Sequence, residues 1–366
     1  MGDEPQARLK MGASGARLLL KGLVMKRFAT ALGFAMGLAM LLGFGTQAAL
    51  AQTLKAVQDR GELLCGANGT LAGFGMPDPQ GNWVGFDVDF CRAIAAAIFN
   101  DPTKVKFVPL TAADRFTALQ SGEIDVLSRN TTWTMSRDTS LGIDFAAVNY
   151  YDGQGFMVRK SLKVNSALEL NDAAVCVQQG TTTELNLADY FRTNNMTLKT
   201  VTFATADEAV KAYDSSRCDS YTTDSSALYG ERLRLADPGA HIVLPEIISK
   251  EPLSPAVRQG DDTWEDIVRW VHFAMVNAEE LGVNQKNVDD MLKSTGPDVR
   301  RLLGVEGQFG TPLGLSNDWA YRIIKAVGNY GESFERNVGQ GSPLKIARGL
   351  NALWTKGGLQ YGLPVR

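Results

Sequence analysis

Residues 125–137 read DVLSRNTTWTMSR. The segment begins with strand-forming Val126 and Leu127, then turns to Ser128, Arg129, Asn130, Thr131 and Thr132. Hydroxyls, an amide and guanidinium groups at a strand end gather several donors in one place with little acceptor strength. Ligands of open α/β sheets sit outside the carboxyl ends of strands. The cluster therefore suits an anion, most simply a carboxylate forked by an arginine. The competing explanation is a polar loop whose Asn and Thr satisfy their own turn. Two other segments complement the first. Gln179-Gly180-Thr181-Thr182 follows a strand and opens a helix, where free backbone N–H groups and the positive dipole end favour an anion, unless it is plain capping. Asp224, in Tyr221-Thr222-Thr223-Asp224-Ser225, is an acceptor for an ammonium or an N-cap. A donor-rich end at Arg137 and Thr182 opposite an acceptor end at Asp224 has the polarity of a zwitterionic α-amino acid.

The surrounding pattern predicts elements that place these groups at strand ends. A strand over 62–65, a Gly- and Pro-rich loop over 66–81, a helix over 90–99, a strand over 105–110, a helix opened by Thr111 and a strand over 124–127 give βαβαβ order and a parallel sheet. YYDGQGFMVRK, residues 150–160, reads as a crossing strand into a second, smaller α/β unit with strands near 173–177, 199–203 and 218–222. IISKEPLSPAVR, residues 247–258, crosses back. Trp264, Ile267, Val268, Val271, Met275 and Ala278 then recur at helical spacing as a core-facing stripe. The expected fold is α/β and two-lobed, with lobe 1 at 52–154 plus 256–366 and lobe 2 at 155–255. Two crossing strands join the lobes around a ligand cleft.

Composition narrows the chemistry. The 366 residues hold two histidines, His241 and His272, too few for a His-centred triad or a His-rich metal site, and no P-loop pattern occurs. Met25-Lys26-Arg27, an apolar run over 28–44 and Ala49-Leu50-Ala51 form a secretory signal peptide over 25–51, with 1–24 an upstream extension from a misplaced start codon. The apolar run is short for a membrane span and broken by glycines. The 37 Lys/Arg less six, and the 40 Asp/Glu less two, leave a mature chain of net charge −7. An acidic exported chain does not suit nucleic acid. Cys65, Cys91, Cys176 and Cys218 suggest two disulfides in an oxidising compartment. Three connectivities are open, and the spacing groups 65 with 91 and 176 with 218. Four buried free thiols are the alternative.

Val84-Gly85-Phe86-Asp87-Val88-Asp89, Phe116-Thr117-Ala118-Leu119-Gln120-Ser121-Gly122, the stretch from Asn130 to Arg137, Gln179-Gly180-Thr181-Thr182 and Cys218 through Asp224 together resemble periplasmic amino-acid-binding proteins of ABC transporters. RNTTWTMSRDTSLG, YYDGQGFMVRKSL, TTTELNLADYFR and LPEIISKEPLSPAVRQGDD resemble the general L-amino-acid-binding subfamily. The likeness covers nearly all of the mature chain. It implies the type II periplasmic binding protein fold, with Arg137 forking the ligand α-carboxylate. Thr132 supplies a hydroxyl, a backbone contact falls near Asn130, and Thr182 of the Gly180 turn gives a second carboxylate contact. Asp224 then takes the α-ammonium. Many relatives carry an aromatic platform where this chain reads Leu71-Ala72-Gly73-Phe74, which suits a broad repertoire. Leu71 and Phe74 are candidates for that wall, and Gln178 and Arg115 for side-chain readers.

The implied function is capture of L-amino acids in the periplasm and delivery to an inner-membrane permease, by a monomer that needs no cofactor or metal. The alternative is a periplasmic dehydratase-like enzyme on the same scaffold, with Asp224 or Glu184 as the titrating group. A tethered sensory domain would need a downstream span that the sequence lacks. N-terminal sequencing of exported protein is expected to begin near Gln52; a start far from it would overturn the assigned leader.

Overall fold

The computed structural model describes residues 53–366. The expected upstream extension at 1–24 and leader at 25–51 lie outside the described residues. In chain order, α1 (Thr53–Arg60) precedes β1 (Leu63–Ala67), the hairpin β2 (Met76–Pro77) and β3 (Trp83–Val84), α2 (Phe86–Phe99), β4 (Val105–Pro109) and α3 (Arg115–Ser121). β5 (Val126–Leu127), α4 (Met135–Ser140) and β6 (Ile143–Phe145) follow. β7 (Tyr150–Asp152) then crosses to β8 (Gln154–Arg159), β9 (Ala174–Gln178), α5 (Thr182–Thr193), β10 (Lys199–Phe203), α6 (Ala206–Asp214), β11 (Ser220–Asp224), α7 (Ser225–Arg232) and β12 (His241–Val243). β13 (Glu251–Leu253) returns to β14 (Ala256–Arg258), and α8 (Asp262–Glu280), α9 (Val288–Met291), α10 (Pro297–Leu302), α11 (Trp319–Ala326) and α12 (Tyr330–Asn337) complete the chain.

The two lobes repeat one plan. The first sheet runs β4-β1-β5-β14-β6 and the second β10-β9-β11-β8-β12. In each, three parallel strands are followed by an antiparallel strand that the chain reaches through a crossing. The crossings pair with each other, β13 against β7, with Glu251 opposite Asp152 and Leu253 opposite Tyr150. The carboxyl ends of the parallel strands in both sheets therefore open toward the crossing, where open α/β sheets bind ligands.

Both faces of each sheet are covered. In lobe 1 the α8 stripe Trp264, Ile267, Val268, Val271, Met275 and Ala278 is buried as its spacing predicts. The Trp264 indole N–H also donates to the Asp125 carbonyl at 2.9 Å. A smaller cluster around Leu119, Ile124 and Phe145 packs on the opposite face. Lobe 2 divides its core likewise, around Tyr213 and Tyr221 on one side and Phe156 and Phe191 on the other.

Two helix limits differ from the sequence expectation. α2 begins at Phe86 rather than residue 90, because VGFDVD alternates like a strand. Gly85 makes the break: its φ is 137°, and a Cβ there would stand 2.1 Å from the Phe74 carbonyl oxygen. The sequence pattern also predicts one helix over 319–330, but it divides at Gly328, whose φ is 94°. Asn329 and Glu332 then form a reciprocal capping box for α12.

Cys65 joins Cys91 and Cys176 joins Cys218, with S–S distances of 2.07 and 1.98 Å, so each lobe has one bridge from strand to neighbouring element. The bridges close 26 and 42 residues of sequence. Replacing either pair by alanines is expected to lower unfolding free energy, by about 3.5 kcal/mol for the first and about 4 kcal/mol for the second on chain entropy. Urea denaturation checks this, and no loss from either replacement would mean that the bridge does not constrain the unfolded chain.

Candidate functional site

The donor stretch after β5 owes its shape to a buried carboxylate. Asp87, in the first turn of α2, accepts the Asn130 backbone N–H at 2.8 Å and the Ser128 hydroxyl at 3.3 Å. That holds Asn130 at φ 32°, a conformation asparagine tolerates better than most residues. Burial raises the Asp87 pKa to about 6, against the opposing pull of Asn130, Ser128 and Arg129. From this position the Asn130 amide accepts from Asn68 Nδ2 at 3.0 Å and donates Nδ2 to Asp224 Oδ2 at 3.2 Å. An amide relay thus runs from the end of β1 in lobe 1 to the end of β11 in lobe 2.

A cavity of about 490 Å³, mouth included, lies between these strand ends. Of the residues singled out in the sequence, Leu71, Arg115, Asn130, Thr132, Gln178, Thr182 and Asp224 line it. Asn68, Arg129, Thr181, Thr183 and Glu231 also line it; of these only Arg129 and Thr181 belong to the expected donor segments. Three candidates are placed otherwise. Phe74 is buried in lobe 1, edge-on to Phe86 and Tyr150, so it supports the wall from behind rather than facing the cavity. Gly180 is not among the lining residues; its N–H donates to Glu184 Oε2 at 3.0 Å, which also ties down Glu184. Arg137 lies behind Thr132, donating Nη1 to the Thr132 carbonyl at 2.9 Å. Its guanidinium shares the Phe116 ring with that of Arg115, at 5.2 and 4.9 Å from the centroid.

The charges here are desolvated and incompletely matched. Arg115, Arg129 and Arg137 are 3%, 5% and 9% exposed, and each donates only to neutral oxygens, of Thr131, Leu110 and Thr132 respectively. Arg115 Nε is buried without a partner among the described residues. Burial lowers the pKa of all three, Arg129 to about 10; for Arg115 the charges of Arg129 and Arg137 add to burial. On the acceptor side, burial raises Asp224 well above the ordinary carboxylate value, and the nearby charges of Asp152 and Glu251 push it further. Asp224 was expected either to take an ammonium or to cap α7. It makes no capping bond. Instead Asp152 Oδ1 accepts the Ser226 backbone N–H at 3.3 Å, leaving the Asp224 carboxylate directed at the cavity with Asn130.

The helix start at Gly180 is built as expected. Thr181 is the N-cap of α5, its hydroxyl accepting from the Glu184 backbone N–H at 3.2 Å. Thr182 stands at the first helical position and approaches Thr132 across the cleft, hydroxyl to hydroxyl at 3.4 Å. The residue missed altogether is Glu251 on β13, which accepts from both threonines. Its only signal in the sequence is an acidic side chain inside a segment that must cross between lobes.

Two sheets whose strand ends face each other across paired crossings, with a buried donor end and a buried acceptor end, define a two-lobed small-molecule binding protein. Residues 63–287 match the family of bacterial extracellular solute-binding proteins, family 3, and the chain belongs to that family. It is 64% identical over 330 residues to the general L-amino acid-binding periplasmic protein AapJ of Rhizobium johnstonii, covering 90% of this chain and 97% of that one. It is 57% identical over 320 residues to the glutamate/glutamine/aspartate/asparagine-binding protein BztA of Rhodobacter capsulatus, covering 87% and 95%. A solved ABC transporter periplasmic binding protein from Brucella ovis with glutathione bound superposes with TM-score 0.85 at 64% identity, over 86% of this chain and all of that one. The fold is that of the type II periplasmic binding proteins. The relatives are solute-binding proteins of transporters, so the dehydratase-like alternative has no support.

Carboxyls with raised pKa bind protons more tightly folded than unfolded, so their contribution to stability falls as pH rises through the folded value. Glu231, raised by burial to about 7, and Asp224 act in this sense. His272 and His241 act oppositely, but only below the ordinary histidine value of 6.5. The ligand-free protein is therefore expected to lose stability between pH 6.5 and about 8, and Asp224→Asn to show a shallower loss. Urea melts across that range check it; an equal slope in the variant would mean that Asp224 does not carry a raised pKa.

Proposed function

We propose that the protein captures L-amino acids of varied side chain in this cleft and presents the loaded form to the membrane subunits of an ABC transporter. One observation carries the proposal: one cavity has the buried guanidiniums of Arg115 and Arg129 in its wall, with that of Arg137 behind Thr132, and the buried carboxylate of Asp224, bonded to Asn130, as its acceptor end. A zwitterion fills both needs at once. Its carboxylate supplies the anion that the guanidiniums lack, and its ammonium offsets the crowding of Asp224 by Asp152 and Glu251.

Side-chain selection falls to the rest of the lining. Leu71 offers an apolar wall, while Arg115, with its unpartnered Nε, and Gln178 suit a second carboxylate or an amide. The four side chains named for the Rhodobacter relative support that chemistry. A neighbouring cavity of about 560 Å³ shares Asn68, Arg129, Gln178 and Ala206 with the first. This gives room for an amino-acid head bearing a longer extension, as the glutathione held by the Brucella neighbour would require. The mature protein is taken to act in the periplasm as a monomer, after cleavage near Ala51. The lobe limits at 154/155 and 255/256 adjoin the paired crossings β7 and β13. No described helix is long and apolar enough to cross a membrane.

Thermal shift of residues 52–366, stripped of ligand by partial unfolding, tests this with all L-amino acids, several D-isomers and sugars. Ligand at 100 times its Kd stabilises by about 2.7 kcal/mol. Stabilisation by many L- but not D-amino acids is expected, and none at all would overturn the proposal. Arg137→Ala is expected to weaken every ligand by roughly tenfold or more. Arg115→Met should weaken glutamate, aspartate and their amides more than alanine or leucine; equal weakening would remove Arg115 as a side-chain reader.

A further inference from the structure

Glu251 is a buried charge to which neither the fold nor the ligand cavity assigns a task. It is 1% exposed and lies on β13, in the segment that connects the lobes. Its Oε2 accepts from the Thr132 hydroxyl at 2.5 Å and from the Thr182 hydroxyl at 2.8 Å. Its Oε1 accepts from Asn186 Nδ2 and from the Ser249 hydroxyl, both at 2.7 Å. Thr132 belongs to lobe 1, whereas Thr182 and Asn186 stand on α5 of lobe 2. One carboxylate carried by the crossing segment ties both lobes together.

The position is mechanically special. Just after it, the Pro252 carbonyl accepts the Trp133 N–H of lobe 1 at 2.8 Å. Just before it, the Ser249 hydroxyl accepts at 3.3 Å the N–H of Gln154, the boundary residue that opens β8 of the second sheet. A hinge rotation between lobes must act on the bonds of the residue in between. Opposite it on β7, Asp152 holds the start of α7 through Ser226, so each crossing strand delivers one carboxylate to one lobe 2 helix.

The bonds also constrain the ligand chemistry. A threonine hydroxyl has a single proton to donate. Those of Thr132 and Thr182 are both given to Glu251, so neither is left for a ligand carboxylate while Glu251 is in place. We infer that Glu251 is a positioning residue and interlobe latch. It holds Thr132 and Thr182 together in the closed cleft, and the ligand carboxylate is left to Arg137 and to the main-chain N–H groups of the α5 start. This rests on the proposed amino-acid ligand for its binding consequences, but not for its effect on closure.

The test uses the oxidised mature protein with Glu251→Gln, Thr182→Val and the double variant. L-Glutamate and L-alanine are titrated calorimetrically, and radius of gyration is measured by solution scattering with and without ligand. Each single variant is expected to weaken both ligands by a similar factor, roughly tenfold or more, since charged hydrogen bonds are lost. Each should also be more extended than the wild type without ligand. The double variant should be little weaker than Glu251→Gln alone, because the two share one contact. Wild-type affinity and dimensions in Glu251→Gln overturn the latch. So does tighter binding, which makes Glu251 a competitor of the ligand, and so does weakening confined to glutamate, which makes it a side-chain reader. If Glu251→Gln does not fold, Thr182→Val gives the same readouts from the lobe 2 side. If the wild type binds no amino acid, the proposed function fails, while the ligand-free dimensions of the variants still decide the latch.

Discussion

Taking charge out of water is the constraint on which the cleft depends. Three guanidiniums and several carboxylates lie behind or along one small cavity, and isolated buried charges are strongly unfavourable. The structure handles them by segregation. Arg115 and Arg137 share the Phe116 ring, Arg129 leans on a main-chain carbonyl, and Asp224 faces them through Asn130. Among the described residues no carboxylate is bonded to a guanidinium of this set, and none partners Arg115 Nε. A site with such unmet electrostatic demand discriminates strongly for a ligand of matching polarity, because a neutral or singly charged molecule leaves one end unsatisfied.

The same constraint explains the crossing segments. A hinge between two lobes should be lightly packed, yet here its strands carry the half-buried Asp152 and the buried Glu251, each bonded to a helix start in lobe 2. Their negative charge lies close enough to raise the Asp224 pKa, so the acceptor end of the cavity and the hinge are electrostatically linked. An ammonium beside Asp224 would act on closure as well as on recognition. Lobe motion and ligand charge are in this way one problem for the molecule, which fits hinge closure around a solute.

Much of this architecture was legible before any coordinates. βαβαβ order, the α8 stripe and the two changes of character near residues 150 and 250 specify two parallel-rich sheets and their crossings, because hydrophobic period and turn residues are local properties. The strand-end motifs were legible for the same reason: seven of the ten residues proposed as ligand contacts or walls, or as side-chain readers beside them, fall on one cavity, and a donor cluster after a strand has few other places to face. Phe74 was misplaced because aromatic residues serve walls and cores alike, and only its packing against Phe86 and Tyr150 separates the two.

The sequence by itself determined the secondary-structure order, the donor and acceptor groups at strand ends, the cysteine grouping and the family likeness. All of these are encoded in residue types and short spacings. Only the tertiary structure decided which groups meet across the cleft. Asn130 reaching Asp224, Asp152 displacing Asp224 as the partner of α7, and Glu251 gathering Thr132 and Thr182 join residues separated by 94, 74, 119 and 69 positions. Such contacts follow from the relative placement of two sheets, which no local pattern records. Whether a buried carboxylate binds a ligand, caps a helix or latches two lobes depends on the single donor set that surrounds it after folding.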